Sequence, residues 1–248
     1  MLKKIYNVFN IGLKVIKNPT HVESKRLGLT ERRKKNTRTD VINTLINLTK
    51  AENYLEIGIR HPADNYDLIM CKNKYSVDPG FENPKNPAVY KFTSDDFFGL
   101  LKNNQLDLPS DFKFDIIFID GLHLADQAYR DILNSLNHLD DNGFIVMHDC
   151  NPPDEYYARE DYTYSIGPCG SFWNGTTWKA FYKARHIPDL YSLCVDCDWG
   201  VGVLTRRTDL SFFNQLSEIE NSFFEFMSFD QNRSTHLNLI PYKDFIVN

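Results

Sequence analysis

Two short apolar runs each deliver an acid and an imidazole at their ends. Residues 114–120 (FDIIFID) lead into Gly121, Leu122 and His123, and residues 143–147 (GFIVM) lead into His148 and Asp149. Runs this short and apolar, bounded by turn residues, read as strands buried on both faces. In open α/β sheets ligands sit just beyond the carboxyl ends of the strands. The spacing therefore aims Asp120, His123, His148 and Asp149 at one crevice, where an imidazole that titrates near neutral pH is suited to moving a proton.

The surrounding elements alternate in a way that would build such a crevice. Residues 39–50 (TDVINTLINLTK) carry apolar residues at helical spacing, and 54–59 (YLEIGI) form a short strand closed by Gly58. Asp64 can cap a helix through Met70, followed by a second strand at 74–77 ended by Asp78, Pro79 and Gly80. A third strand is expected at 88–93, with Ser94 as the cap of the next helix and Asp95 and Asp96 in its first turn. After FDIIFID come a helix at 124–139 and the GFIVM strand. Strand and helix in alternation imply a mostly parallel sheet with helices on both faces. Residues 150–174 are long, irregular and rich in Pro and aromatic residues, and loops of that length usually carry function, so a substrate lid is expected. A helix at 175–185 and a strand pair at 190–197 and 200–205, turning at Asp198 and Trp199, follow. A Phe-rich helix at 212–227 would pack in the core or at a dimer face of a homo-oligomer.

Composition narrows the partners. At 248 residues and 42% hydrophobic, the chain is long and apolar enough for one large α/β domain. We divide it into a helical, basic extension (1–38), a main domain (39–206) with the lid-like insertion 150–174, and a C-terminal helical extension (207–248). A net charge of -5 argues against a dedicated nucleic-acid binder. Lys25, Arg26, Arg32, Arg33, Lys34, Lys35 and Arg38 form a local basic cluster. It reads either as a solvated helix face or as a surface for phosphates or a membrane. The first 18 residues read as an amphipathic helix resting against a membrane or a partner, and no run is long enough to span a bilayer. Five cysteines and no export signal point to a reducing, cytoplasmic setting. Cys194 and Cys197 lie in a strand-like stretch that turns them to opposite faces, which disfavours a metal pair.

Taken in order, YLEIGI, SVDPG, FDIIFIDGLH and GFIVMHDCNPP resemble the class I S-adenosylmethionine-dependent methyltransferases over residues 40–206, especially the small bacterial O-methyltransferases associated with sugar and natural-product pathways. The resemblance implies a Rossmann-like fold: a mostly parallel seven-stranded sheet, helices on both faces and an antiparallel last strand. It places Glu56 and Gly58 at the amino-acid end of S-adenosylmethionine, Asp78 at the ribose hydroxyls, Thr93, Ser94 and Asp95 at the adenine edge, and Asp120 beside the methionine portion. Arg60, His61 and Pro62 depart from the family pattern, which has a second small residue here, so the loop must turn differently. Methyl transfer to oxygen is an in-line displacement that needs alignment and a proton acceptor. His148 is the first choice because it emerges beside the lid, His123 is the second, and Asp149 completes the group. Asp120 and Asp149, joined by Asn151 or His123, also match the oxygen-rich set with which some relatives hold a divalent cation such as Mg2+, although Cys150 stands where those relatives place a ligand. The expected acceptor is a small hydroxylated molecule, a sugar or nucleotide-linked sugar, stacked on Tyr156, Tyr157, Tyr162, Trp173 or Trp178. Two alternatives stay open: a degenerate binding subunit on this fold, and another nucleotide-sugar-modifying enzyme. The missing G-x-G-x-x-G disfavours NAD.

Overall fold

The computed structural model describes residues 1–245. Two helices, α1 (Leu2–Ile16) and α2 (Pro19–Glu31), precede α3 (Arg38–Thr49). A capping box starts α3: the Thr37 backbone N–H donates to the Asp40 carboxylate at 2.8 Å, and Asp40 stabilises the positive end of the helix. The strands β1 (Asn53–Ile57), β2 (Asn73–Val77), β3 (Phe114–Ile119), β4 (Leu139–Met147), β5 (Tyr191–Val195), β6 (Val201–Thr205) and β7 (Leu239–Ile240) form one sheet in the order β2-β1-β3-β4-β6-β5-β7. β2, β1, β3 and β4 are parallel, β6 runs antiparallel between β4 and β5, and β7 is parallel to β5.

Alternation along the strands divides the core between the two faces. On one side Ile117, Ile119, Ile145 and Met147 meet Phe97 of α4 (Ser94–Lys102), Ile132 of α5 (Ala125–His138) and Phe181 of α6 (Thr177–Ala184). On the other, Ile116, Phe118, Phe144 and Val146 meet Val41, Ile42 and Leu45 of α3. The sheet is therefore covered on both faces and its strand ends are left free to build a site.

The sheet is seven-stranded and Rossmann-like, as expected, but its membership differs in detail. The expected strand at 88–93 is reduced to one parallel bridge, Val77 to Tyr90, with the Tyr90 N–H donating to Ser76 O at 2.9 Å. That bridge still lies outside β2, where a third strand belongs. The helix expected at 64–70 is two 3₁₀ turns, Pro62–Asp64 and Tyr66–Leu68. Asn65 between them has a non-helical backbone because its side chain is drawn inward to Glu56 and Thr39. The cap of α4 is Thr93 rather than Ser94: the Asp96 N–H donates to the Thr93 hydroxyl at 3.1 Å. No helix spans 212–227; among the described residues of this tail the helices are α7 (Phe226–Gln231), α8 (Arg233–Leu237) and α9 (Tyr242–Phe245). Tertiary pairing overrides the aromatic periodicity, since Asn214 bridges Ser192 of β5 and the fully buried Arg185 donates to the side chains of Ser192 and Asn214 and to Thr235 O.

Gly58 carries the turn from β1 into the crevice. Its φ is 91°, and a Cβ there would lie 2.6 Å from both the Asp120 carbonyl carbon and Gly121 Cα. A left-handed backbone alone costs a residue with a side chain about 1–2 kcal/mol. Gly58→Ala should therefore lower the unfolding free energy by at least ~2 kcal/mol in urea titrations; a loss below ~0.5 kcal/mol would show that the turn tolerates a side chain.

Candidate active site

The chain runs one way from β1 to β2 and the other way from β3 to β4, so the sheet reverses between β1 and β3. At such a switch point the carboxyl ends diverge and open a crevice. One of about 840 Å3 lies there, lined by Glu56, Gly58, Asp78, Ser94, Asp120, His123, His148 and Asp149 among others. Backbone hydrogen bonds carry the strand ends to its rim: the Gly58 N–H donates to Val77 O at 2.9 Å, Asp120 N–H to Ile57 O at 2.8 Å and His148 N–H to Ile119 O at 3.1 Å. Asp149 follows with a φ of 60°, a conformation non-glycine residues adopt rarely and mostly where the surrounding structure fixes it.

Asp120 is the meeting point. Its Oδ1 lies 3.2 Å from His123 Nε2 and 3.2 Å from His148 Nδ1, and its Oδ2 lies 3.8 Å from Arg38 Nε. Asp149 Oδ2 lies 3.2 Å from His123 Nδ1 and 3.1 Å from His148 Nδ1, while its Oδ1 accepts from Asn174 Nδ2 at 2.6 Å. On the far side of His148, Nε2 lies 3.4 Å from Asp198 Oδ1. Asp198 Oδ2 accepts from both the backbone N–H and the guanidinium of Arg38 at 2.9 Å, so this carboxylate also sits on the positive end of α3.

Burial and charge decide the protonation of this group. Burial alone would depress His123, but the Asp149 and Asp120 carboxylates outweigh it and hold the imidazole at about 9. Burial likewise opposes the charge on His148, and Asp149 and Asp120 overcome it and raise the ring well above its usual range. Asp120 is held far below the ordinary carboxylate range: burial pushes it up, yet His148 and His123 prevail, with Arg38 adding to them. Asp198 is lowered in the same manner by His148 and Arg38. Three carboxylates thus face one guanidinium and two imidazoles. The group is neutral with both rings protonated, and equally neutral with one divalent cation and neutral rings. Asp120, His123 and Asp149 bring candidate ligand atoms within 4.8 Å of one another, a donor set that fits such a cation.

The cofactor-side residues are placed differently from one another. Glu56 is buried, its Oε2 accepting from Tyr54 Oη at 2.5 Å and Asn65 Nδ2 at 2.9 Å, and burial, assisted by the Asp120 charge, pushes it up to about 7. Asp78 accepts from the Ile59 N–H at 2.9 Å and the Gly80 N–H at 2.5 Å, which shapes the loop carrying Arg60 and His61. Ser94 reaches the crevice and donates to the buried Asp131 at 2.6 Å, whose carboxyl burial raises to about 6. Asp95 is not part of the crevice lining; it pairs with Arg130 at 3.3 Å and accepts from the lining residue Gln127 at 3.4 Å.

Residues 150–174 contain no helix or strand and fold around Arg159, which donates to Tyr156 O, Asp161 O and Phe172 O. They bring Tyr162, Phe172 and Trp173 to the crevice, where Trp199 joins them. Trp173 stacks on His123 with centroids 5.2 Å apart, and Phe172 stacks on Trp199 at 5.5 Å. Trp178 and Tyr157, candidates for stacking a sugar, are instead core residues: Trp178 is buried against Phe229 at 4.3 Å, and Tyr157 is buried beside Trp199. Asn151 is buried and accepts from Arg233 rather than joining the cation-binding set.

Sequence reading missed Arg38, Asp198, Asn174 and Trp199 as members of the site. Arg38 was hidden in a basic run and Asp198 in a hairpin turn. The usable signal is the turn itself: Asp198 and Trp199 both have positive φ, the geometry of a tight hairpin turn that fixes where both side chains point.

Residues 47–150 match the family model Methyltransf_24, described as a methyltransferase domain. This segment holds β1 to β4 and ends one residue beyond Asp149. No curated protein matches the chain. Among solved structures, an O-methyltransferase from Bacillus cereus in complex with SAH is similar at 13% identity and a TM-score of 0.44, covering 80% of this chain and 97% of that one. The SAH-bound Podospora anserina methyltransferase PaMTH1 is similar at 16% identity and a TM-score of 0.41, covering 81% and 95%. The O-methyltransferase TomG of Streptomyces achromogenes, involved in tomaymycin synthesis and in complex with SAM, is similar at 12% identity and a TM-score of 0.40, covering 80% and 94%. The matched segment supplies four of the seven strands, including the strand ends that line the crevice.

Removing the guanidinium should expose the cost of gathering these carboxylates. Arg38→Met leaves Asp120 and Asp198 short of a cation, and an uncompensated buried charge costs about 3–5 kcal/mol. Since the Arg38 side chain is 20% exposed, we expect a loss of roughly 2–3 kcal/mol in urea unfolding. A change within ~0.5 kcal/mol would mean that Arg38 does not balance the cluster.

Proposed function

We propose that the protein transfers a methyl group from S-adenosylmethionine to a hydroxyl of a small acceptor, a sugar or nucleotide-linked sugar. The observation that carries this reading is the single crevice onto which β1, β2, β3 and β4 direct Glu56, Asp78, Asp120 and the His148–Asp149 pair. Ribose hydroxyls are received by Asp78, whose oxygens keep free lone pairs beyond those used by the loop N–H groups. The cationic amino-acid and sulfonium end lies toward Glu56 and Asp120, and Ser94 with Asp131 faces the adenine edge. Asp95 plays no direct part.

The acceptor lies between the aromatic residues of the lid and the imidazole–carboxylate group. Tyr162, Phe172, Trp173 and Trp199 present the flat faces on which sugar C–H groups pack. In the transfer the acceptor oxygen bonds to the methyl carbon, the carbon–sulfur bond breaks, S-adenosylhomocysteine leaves and the hydroxyl proton passes to a base. We assign that base to His123, which serves once its ring has lost the proton that the neighbouring carboxylates hold up to about 9. It is the more exposed of the two rings, at 19% against 9%, and it is oriented by Trp173 and Asp149. His148, enclosed by Asp120, Asp149 and Asp198, positions these carboxylates. Asp120, His123 and Asp149 would also hold a divalent cation, which when bound lowers the pKa of a coordinated hydroxyl.

Isothermal titration with S-adenosylmethionine and S-adenosylhomocysteine tests the first half. Both should bind, and Asp78→Ala should weaken them at least about tenfold with its circular dichroism unchanged; no binding to the wild-type protein rejects the reading. Glu56 sets the pH dependence. Its carboxyl, near 7 when the crevice is empty, must lose its proton to favour a cation beside it. Affinity should therefore fall as pH drops below about 7, approaching tenfold per pH unit, and Glu56→Gln should flatten this profile. A wild-type profile already flat would remove Glu56 from the cofactor site.

Turnover is read as S-adenosylhomocysteine release with nucleotide-linked sugars as acceptors. His123→Gln should reduce kcat by about 10²–10⁴ without changing cofactor affinity, and turnover should survive EDTA. Loss on EDTA, restored by Mg2+, assigns hydroxyl activation to the cation instead. Cofactor binding with no release across the acceptor panel favours a binding subunit.

A further inference from the structure

The helix α1 is amphipathic over its whole length and packs against nothing that buries it. Leu2, Ile5, Phe9 and Ile16 fall on one face at helical spacing and are 84%, 60%, 62% and 52% exposed. No residue of α1 is buried. Lys3, Lys14 and Lys17 lie on the opposite side with Asn7 and Asn10. The helix that follows is anchored. Ser24 and Gly28 of α2 are buried, and Gly28 sits so close to the Tyr157 hydroxyl that a Cβ would collide with it. Its end is tied as well, with Arg32 over the Phe172 ring at 5.0 Å. α2 thus holds α1 to the body of the protein while leaving the apolar face of α1 bare.

An exposed apolar face of this size marks a contact surface, and charge selects the partner. The first 22 residues contain four lysines and no acidic residue. A second copy of the helix would cover the apolar face but leave every lysine without an acidic partner, since α1 carries no acid. An anionic lipid surface complements them: the apolar residues enter the boundary between headgroups and acyl chains, and the lysines meet the anionic headgroups.

We propose that α1 is an interfacial helix that docks the protein on anionic membrane surfaces. No helix of the described residues is long and apolar enough to cross a membrane, so the contact lies along the surface. The test is cosedimentation of the full chain with vesicles of phosphatidylcholine alone and of phosphatidylcholine with phosphatidylserine. We expect binding to the anionic vesicles that weakens as salt is raised. Phe9→Glu should reduce it at least about tenfold by placing a charge on the buried face. Lys3→Glu with Lys14→Glu should also reduce it at least about tenfold, since each lysine near an anionic surface contributes about fivefold. None of these residues lines the crevice, so affinity for S-adenosylmethionine should be unchanged in every variant, which serves as the folding control. No binding to anionic vesicles, or equal binding to neutral ones, overturns the proposal. So does sedimentation velocity showing a dimer that Phe9→Glu dissociates while vesicle binding stays absent.

Discussion

Negative charge held out of water at the ends of parallel strands is the constraint on which the rest of the site depends. Asp120, Asp149 and Asp198 are brought together at the sheet's switch point, and carboxylates that poorly solvated persist only if cations meet them. Arg38, His123 and His148 supply the cations, each from a different part of the chain. Arg38 comes from the start of α3, His123 from the loop after β3 and His148 from the end of β4. The site is therefore built by the tertiary fold and would not assemble in any one fragment.

The same requirement explains features that would otherwise be unconnected. The left-handed Asp149 and the Asp198–Trp199 turn are unusual backbone conformations, and both direct carboxylates at the imidazoles. Asn174, at the end of the segment 150–174, donates to Asp149 and so ties that segment to the charged group. His123 is gripped from a second direction by the Trp173 carbonyl and ring. The segment 150–174, organised by Arg159, thus helps to orient the imidazole. A crevice with fixed carboxylates beside aromatic side chains is suited to aligning two reactants, and alignment is most of what the proposed methyl transfer demands.

Much of this was legible in the sequence because buried parallel strands leave a strong signal. FDIIFID and GFIVM are too apolar for surface elements, and the polar residues that interrupt them mark the strand ends; the structure puts Asp120, His123, His148 and Asp149 in contact there. Local signals failed where long-range pairing decides. The Phe-rich stretch at 212–227 has helical spacing, but the buried Arg185 and the edge of β5 hold part of it extended. Asn65 breaks an otherwise helical segment because Glu56 needs a donor. Arg38 and Asp198 could not be paired from sequence, since 160 residues separate them. Trp178 and Tyr157 have the composition of a binding surface and the environment of a core, a distinction only packing reveals.

A crystal structure of the protein soaked with S-adenosylhomocysteine tests the central claim most directly. The account predicts the ribose hydroxyls on the Asp78 carboxylate and the sulfur beside Asp120, with its open side facing His123 and the aromatic lid. A ligand bound outside this crevice, or a ribose turned away from Asp78 with the sulfur remote from Asp120, would contradict it.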